Sequence, residues 1–209
     1  MILYSTNGSP YSAPVRIVVY AKHIELEIAE PPGGLGSSRF SAINPVGTIP
    51  CLVLDDGLVL PESAAIMEYL EDAFPDPALM PASARARAEI RVLQRISELG
   101  VLHHTVELRA LLKERSRDEA VFNSRLTRLL RGLASADIYV TEKPVAADPD
   151  LSLADCHLAP ALFLVTRLIE AGSIPDILSS RPNLGHYLER RRRHPAIERV
   201  LGEIAGAID

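Results

Sequence analysis

Glu62 and Ser63 fall where a helix begins. The unpaired N–H groups of a first helical turn, together with the helix dipole, attract an anion. Pro61-Glu62-Ser63 is also a favourable helix start in its own right. Ser9, followed by Pro10, is a second hydroxyl at a helix start, an N-cap by residue type with proline at the first helical position. His103, His104 and Glu107 have the i, i+3 and i, i+4 spacing that suits a metal ion, but a third ligand and a defining motif are missing, so no metal is expected. Cys51 and Cys156, the only cysteines, lie far apart in apolar settings and are expected as buried reduced thiols rather than as a disulfide or a metal pair. Arg190 to Arg193 spread their charges around one helical turn, which fits a solvated helix end better than a nucleic-acid contact.

The elements that must position these groups change character along the chain. Ile2 to Ser5 has the pattern of a short buried strand, and the turn Asn7-Gly8-Ser9-Pro10 leads into a helix whose stretch from Val15 to Tyr20 is apolar except for Arg16. Leu26 and Ile28 alternate with Glu25, Glu27 and Glu30, the period of a half-buried strand. A loop rich in Pro, Gly and Ser follows at 31–38. Cys51 to Leu54, the turn Asp56-Gly57 and Leu58 to Leu60 make a hairpin, and Ala64 to Ala73 a helix. The proline-rich stretch from Phe74 to Pro81 cannot be helical throughout. Beyond it only helical patterns occur: Ser83 to about Lys113, Arg117 to about Ser135, a more apolar helix from Ser152 to about Ala171, and shorter ones near 182–193 and 195–205. Ser152 and Asp155 fit a capping box with a structural role. The expected division is a domain at 1–74, a linker at 75–83 and an all-α domain at 84–209.

Composition narrows the partners. A formal charge of −5 argues against general binding to nucleic acid or anionic membranes, both of which rest on a positive footprint. The most apolar run, Leu158 to Val165, is interrupted by Pro160 and bounded by Arg167, far short of the ~20 residues that span a bilayer. Met1 to Tyr4 runs directly into a strand pattern with no secretory leader visible, so a cytoplasmic protein with small-molecule or protein partners is expected.

The element order and three motifs together resemble the glutathione transferase family. The motifs are Ser9-Pro10-Tyr11 with Val15-Arg16, Asn44-Pro45-Val46-Gly47-Thr48-Ile49-Pro50, and Glu62-Ser63 with Ile66, Tyr69 and Leu70. The resemblance implies a thioredoxin-like α/β N-terminal domain followed by an all-α helical bundle, the cytosolic glutathione transferase fold. It implies a cis Pro50 and an Ile49 backbone that pairs with glutathione, the co-substrate, as a sheet edge would. Glu62 would meet the γ-glutamyl amine, Ser63 its carboxylate, and Arg39 the glycyl carboxylate. Ser9 would be the catalytic residue, donating a hydrogen bond to the sulfur, with Ser12, Tyr4, Thr6 and Asn7 as lesser alternatives; an N-capping Ser9 looks the same in sequence. The implied enzyme is a homodimer that uses the thiolate for detoxifying attack on a small apolar electrophile held largely by the second domain, where Arg85, His103, His104 and Tyr139 are candidates. The chain departs from the family where Thr48 replaces a common lysine, where the loop at 31–38 replaces a more basic stretch, and where His23 replaces a helix-ending glycine. Two other readings remain open. One is a non-catalytic binding module resembling the stringent starvation protein A branch, which contacts RNA polymerase; the other is a zeta-type glutathione-dependent isomerase.

Overall fold

The computed structural model describes residues 1–140 and 151–208 of the chain. They group into two units, one formed by residues 1–78 with the end of the chain from Arg199, the other by residues 79–198. In the first unit β1 (Ile2–Tyr4), α1 (Ala13–Ala21), β2 (Glu27–Ala29), α2 (Ser38–Ile43), β3 (Cys51–Val53), β4 (Val59–Pro61) and α3 (Ser63–Ala73) follow one another. The sheet order is β2-β1-β3-β4, with β1 parallel to β2 and antiparallel to β3, and β3 antiparallel to β4. The register sets Tyr4 beside Ala29 on one side and Cys51 on the other, and Cys51 beside Pro61.

Local chemistry accounts for most boundaries. Every residue of α1 from Ala13 to Val19 is buried, as its near-continuous apolar sequence requires, and it packs on α3 through a core that includes Ile17, Val18, Ile66, Met67 and Leu70. Past the end of α1, His23 takes φ 52°, the left-handed conformation that glycine would adopt more easily. Gly57, at φ 85°, turns the β3–β4 hairpin. Cys51 is fully buried, and burial pushes its thiol pKa up; Cys156 is buried too, and neither forms a disulfide.

Two segments differ from the sequence pattern. Helix α2 starts at the end of the stretch taken for loop, capped by Ser37 Oγ, which accepts the Phe40 N–H at 3.1 Å. Six residues are too few for periodicity to speak, and what holds them is Phe40, buried edge-on to Tyr4 with ring centroids 5.6 Å apart. Strand β2 is the other case. It lies at the sheet edge, so Ile28 remains 38% exposed where alternation predicted an inward side chain.

The second unit is helical. It contains α4 (Ala84–Arg95), a π-helical segment (Ile96–Leu102), α5 (His103–Leu111), α6 (Glu119–Tyr139), α7 (Leu153–Glu170) and α8 (Pro182–Arg191), and α9 (Pro195–Ile208) begins in it. The single helix expected from Ser83 to Lys113 is thus interrupted by a wider turn. There Gly100 faces Gly132 of α6 so closely that a Cβ on Gly132 would stand 2.0 Å from the Gly100 carbonyl oxygen. Helix α7 is the core of the unit, buried without interruption from Leu153 to Val165. It opens with the expected capping box: Ser152 Oγ accepts the Asp155 N–H at 3.3 Å, and Asp155 Oδ2 accepts the Ser152 N–H at 2.7 Å. The other carboxylate oxygen of Asp155 takes the Tyr187 hydroxyl at 2.5 Å and lies 3.0 Å from Arg191 Nε. Among the described residues no helix is long and apolar enough to cross a membrane.

Candidate functional site

The strand register brings three of the sequence motifs to one edge of the sheet. The last residue of β1, the first of β3 and the last of β4 are side by side, so the segment carrying Ser9 leaves that edge, Ile49-Pro50 arrives at it, and Glu62-Ser63 leaves it again. Neighbouring strands lie about 4.8 Å apart, which spreads the three attachment points over about 10 Å. The edge is framed by a helix N-terminus, that of α3, and by the turn that precedes α1.

Regular helix starts at Ala13, four residues after Ser9, with Ser12 as its formal cap but without a side-chain capping bond. Ser9 nevertheless has capping geometry for the turn before it. Its carbonyl accepts the Ala13 N–H at 3.1 Å and its Oγ accepts the Ser12 N–H at 3.2 Å. In both bonds Ser9 accepts, which leaves its hydroxyl proton to donate elsewhere. Ser12 is fully buried, and Asn7 is tied up by Arg16.

Arg16, in the sequence only the lone charge of an apolar run and a member of the first motif, has a structural role that the sequence did not reveal. Its guanidinium is fully buried and donates to Thr6 O at 3.0 Å, Asn7 Oδ1 at 2.7 Å and Asn7 O at 2.9 Å, fixing the loop that delivers Ser9. Burial lowers its pKa; the nearby Glu203, 3.5 Å from Nε, works the other way and keeps the charge in place. Glu203, on the part of α9 that belongs to this unit, also accepts from the Tyr20 hydroxyl and from Arg199 Nε, each at 3.1 Å, and Arg199 sits 3.7 Å over the Tyr20 ring. Tyr20 is held above the ordinary tyrosine pKa by burial first and by Glu203 second. Gly8 packs against Ala207 of the same helix. The available clue was a lone charge inside an otherwise apolar helical run.

The loop before β3 is organised by Asn44. Its Nδ2 donates to Thr48 O at 2.8 Å, its Oδ1 accepts the Val46 N–H at 3.1 Å, its carbonyl accepts the Gly47 N–H at 2.9 Å, and Gly47 takes φ 76°. That network explains the Asn-Pro-x-Gly spacing. The Ile49–Pro50 peptide is cis, and neither the N–H nor the C=O of Ile49 pairs with another described backbone group outside the strands. Glu62 is an exposed non-glycine residue at φ 72°, ψ 117°, directly before Ser63, which is buried. Such a conformation costs on the order of 1–3 kcal/mol and is characteristic of ligand clamps. Arg39 is exposed on α2, with no carboxylate partner among the described residues.

In the second unit His104 Nδ1 is 3.0 Å and His103 Nε2 3.6 Å from the same Glu107 oxygen, so the spacing noted in the sequence does bring the three side chains together. Arg85 pairs with Glu89 at the start of α4, and Tyr139 is the last residue of α6. His157 of α7 is fully buried, 4.0 Å from Glu98. Burial, chiefly, lowers its pKa from 6.5 to about 4; the Leu153 carbonyl opposes this and Arg95 adds to it.

Residues 3–78 match the family model described as glutathione S-transferase, N-terminal domain. A stringent starvation protein A homolog of Coxiella burnetii is 33% identical over 168 residues, covering 80% of this chain and 77% of that protein. The maleylacetoacetate isomerase of Pseudomonas aeruginosa is 27% identical over 208 residues, covering 96% and 95%. Among solved structures, a glutathione S-transferase of Methylobacillus flagellatus with glutathione bound superposes with TM-score 0.81 at 25% identity, over 95% of this chain and 98% of that one.

Proposed function

Since the chain belongs to the glutathione S-transferase family, we propose that its first unit binds glutathione along the described sheet edge and lowers the pKa of the thiol, so that the thiolate attacks a small apolar electrophile. The observation that carries this reading is that the segments bearing Ser9, Ile49 and Glu62-Ser63 attach to three adjacent strand ends, Tyr4, Cys51 and Pro61. Those ends span about 10 Å, and three extended residues reach about 10–11 Å, so a tripeptide fits the spread.

The roles follow from what each group offers. The Ile49 N–H and C=O pair with the tripeptide backbone as a further strand would. The amide groups at the start of α3, with Ser63, hold the γ-glutamyl carboxylate, and the exposed Glu62 carboxylate meets its ammonium. Arg39, exposed on α2 next to the Phe40 that packs on Tyr4, takes the glycyl carboxylate. Ser9 donates its spare proton to the sulfur. In the reaction the sulfur electron pair forms the new C–S bond while the leaving group departs with the pair of its own bond. Most of the rate gain then comes from positioning and from stabilising the sulfur anion. The enzyme works in the cytoplasm as a homodimer.

Calorimetric titration with reduced glutathione, combined with ultraviolet titration of the bound thiolate, tests the reading on wild type and Ser9→Ala. Wild type is expected to bind, and Ser9→Ala to bind comparably while the bound thiol pKa rises by about one unit or more, ~1.4 kcal/mol for each. No binding at millimolar glutathione would sink the enzyme. A second reading then leads, a non-catalytic binding module, which the likeness to the Coxiella burnetii protein favours. The likeness to the Pseudomonas aeruginosa isomerase supports a variant of the first reading, in which the bound thiolate adds to a double bond and leaves again.

A further inference from the structure

We propose that His103, His104 and Glu107 form a binding site for a divalent transition-metal ion of the zinc type on a half-buried face of α5. One ligand atom from each residue lies within 4.8 Å of the other two. The Glu107 Oε2 is 3.0 Å from His104 Nδ1 and 3.6 Å from His103 Nε2. Two ligands bound at about 2.1 Å to a common ion lie about 3.0 Å apart at a right angle and about 3.4 Å apart in a tetrahedron. Glu107 already stands at about these separations from both histidines, and the two imidazole nitrogens, within 4.8 Å of each other, close on a common ion by side-chain rotation.

The donor set selects the ion. Two imidazoles and one carboxylate suit zinc, nickel, copper or iron, whereas magnesium and calcium require oxygen ligands. With the side chain of His103 half exposed, solvent completes the coordination shell, and the site is open rather than closed as a structural zinc centre is. The two rings meet edge to face with centroids 5.3 Å apart, so they approach one point without stacking. To ligate through Nδ1, His104 carries its proton on Nε2.

Two neighbouring features fit this role. Arg125 of α6 lies 3.2 Å from Glu107 Oε1, the oxygen that does not face the histidines. Ligating carboxylates are commonly held in this way by a second partner, which fixes the free oxygen toward the metal. The same positive charge disfavours a cation, so the affinity is micromolar rather than that of a buried structural zinc. The second feature is the π-helical segment that ends at Leu102, directly before the cluster. An extra residue in a helical turn rotates everything after it by about 100° relative to a continuous α-helix. The segment therefore sets the face of α5 on which His103, His104 and Glu107 stand, and π-helical insertions are frequent at functional sites.

The test uses the full chain without a histidine tag, freed of metal by chelator and titrated calorimetrically with zinc chloride in the absence of glutathione, so its result is independent of the transferase reading. One ion per chain is expected at micromolar affinity, with magnesium chloride giving no heat of binding. His104→Ala and Glu107→Gln are each expected to weaken zinc by tenfold to a hundredfold, with a cooperative thermal transition of each metal-free variant showing that it is folded, since His104 is only 12% exposed and Glu107 pairs with Arg125. Cobalt chloride supplies a second readout, since its visible absorption changes only when protein ligands replace water. Absence of saturable zinc binding at a hundred micromolar overturns the proposal. So does zinc binding that His104→Ala and Glu107→Gln leave unchanged.

Discussion

Replacing His157 by leucine removes a titrating ring from the most buried helix of the second unit, and the effect is visible only as pH falls. The ring is fully buried in α7, neither nitrogen makes a hydrogen bond of good geometry, and its pKa falls from 6.5 to about 4. Glu98 and Arg95, from the helix packed against α7, are the charged groups near it. A group whose pKa is depressed on folding gives stability that is present above the unfolded value and lost as pH drops through the folded one. Between pH 6.5 and 4 the unfolded chain binds the proton more readily, and the difference of about 2.5 units corresponds to roughly 3 kcal/mol at 1.36 kcal/mol per unit. Denaturant unfolding of wild type and His157→Leu at steps from pH 7.5 to pH 4 measures it. Wild type is expected to lose about 3 kcal/mol more than the variant over that range, whereas at pH 7.5 the two differ little because leucine leaves no buried nitrogen unpaired. Two parallel stability curves would refute the assignment of a neutral, desolvated ring.

Gly132→Ala forces a methyl group to within 2.0 Å of the Gly100 carbonyl, backbone against backbone, so one of the helices must move. A loss of about 3 kcal/mol or more is expected, read by calorimetry as a fall in Tm of roughly 6 to 12 °C for a chain of this length. Glu62→Gly releases the strain of φ 72°, worth on the order of 1–3 kcal/mol, against about 0.5–1 kcal/mol of extra freedom in the unfolded chain. The variant is expected to unfold at higher denaturant yet bind glutathione at least tenfold more weakly in a titration; equal binding would show that Glu62 meets no ligand ammonium.

Much of the first unit was legible because its signals are local. The Asp56-Gly57 turn, the alternating segments around it and the left-handed His23 each depend on residues within a few positions of one another, as does the Ser152–Asp155 cap in the second unit. The placement of Ile49-Pro50 and Glu62-Ser63 at the start of a strand and of a helix was legible for the same reason. What could not be read depends on distant partners. Helix α2 exists because Phe40 finds Tyr4, and the wide turn at Ile96–Leu102 sits where Gly100 meets Gly132. Ile28 is exposed because β2 has no neighbour on its far side, a property of the sheet and not of the segment. Arg16 has the most consequence for the candidate site, and its role needs Glu203, which no window along the chain contains.

That last pairing bears on how the protein is made. The polar cluster beneath the Ser9 loop closes only when the part of α9 from Arg199 joins the strands at the other end of the chain, and 183 residues separate Tyr20 from Glu203. At a synthesis rate of about 5–20 residues per second, a nascent chain carries Arg16 without its counter-charge for roughly 10 to 40 seconds. During that interval the Thr6–Asn7 segment lacks the Arg16–Glu203 pair that completes its anchor. The first unit to leave the ribosome is thus among the last to be finished.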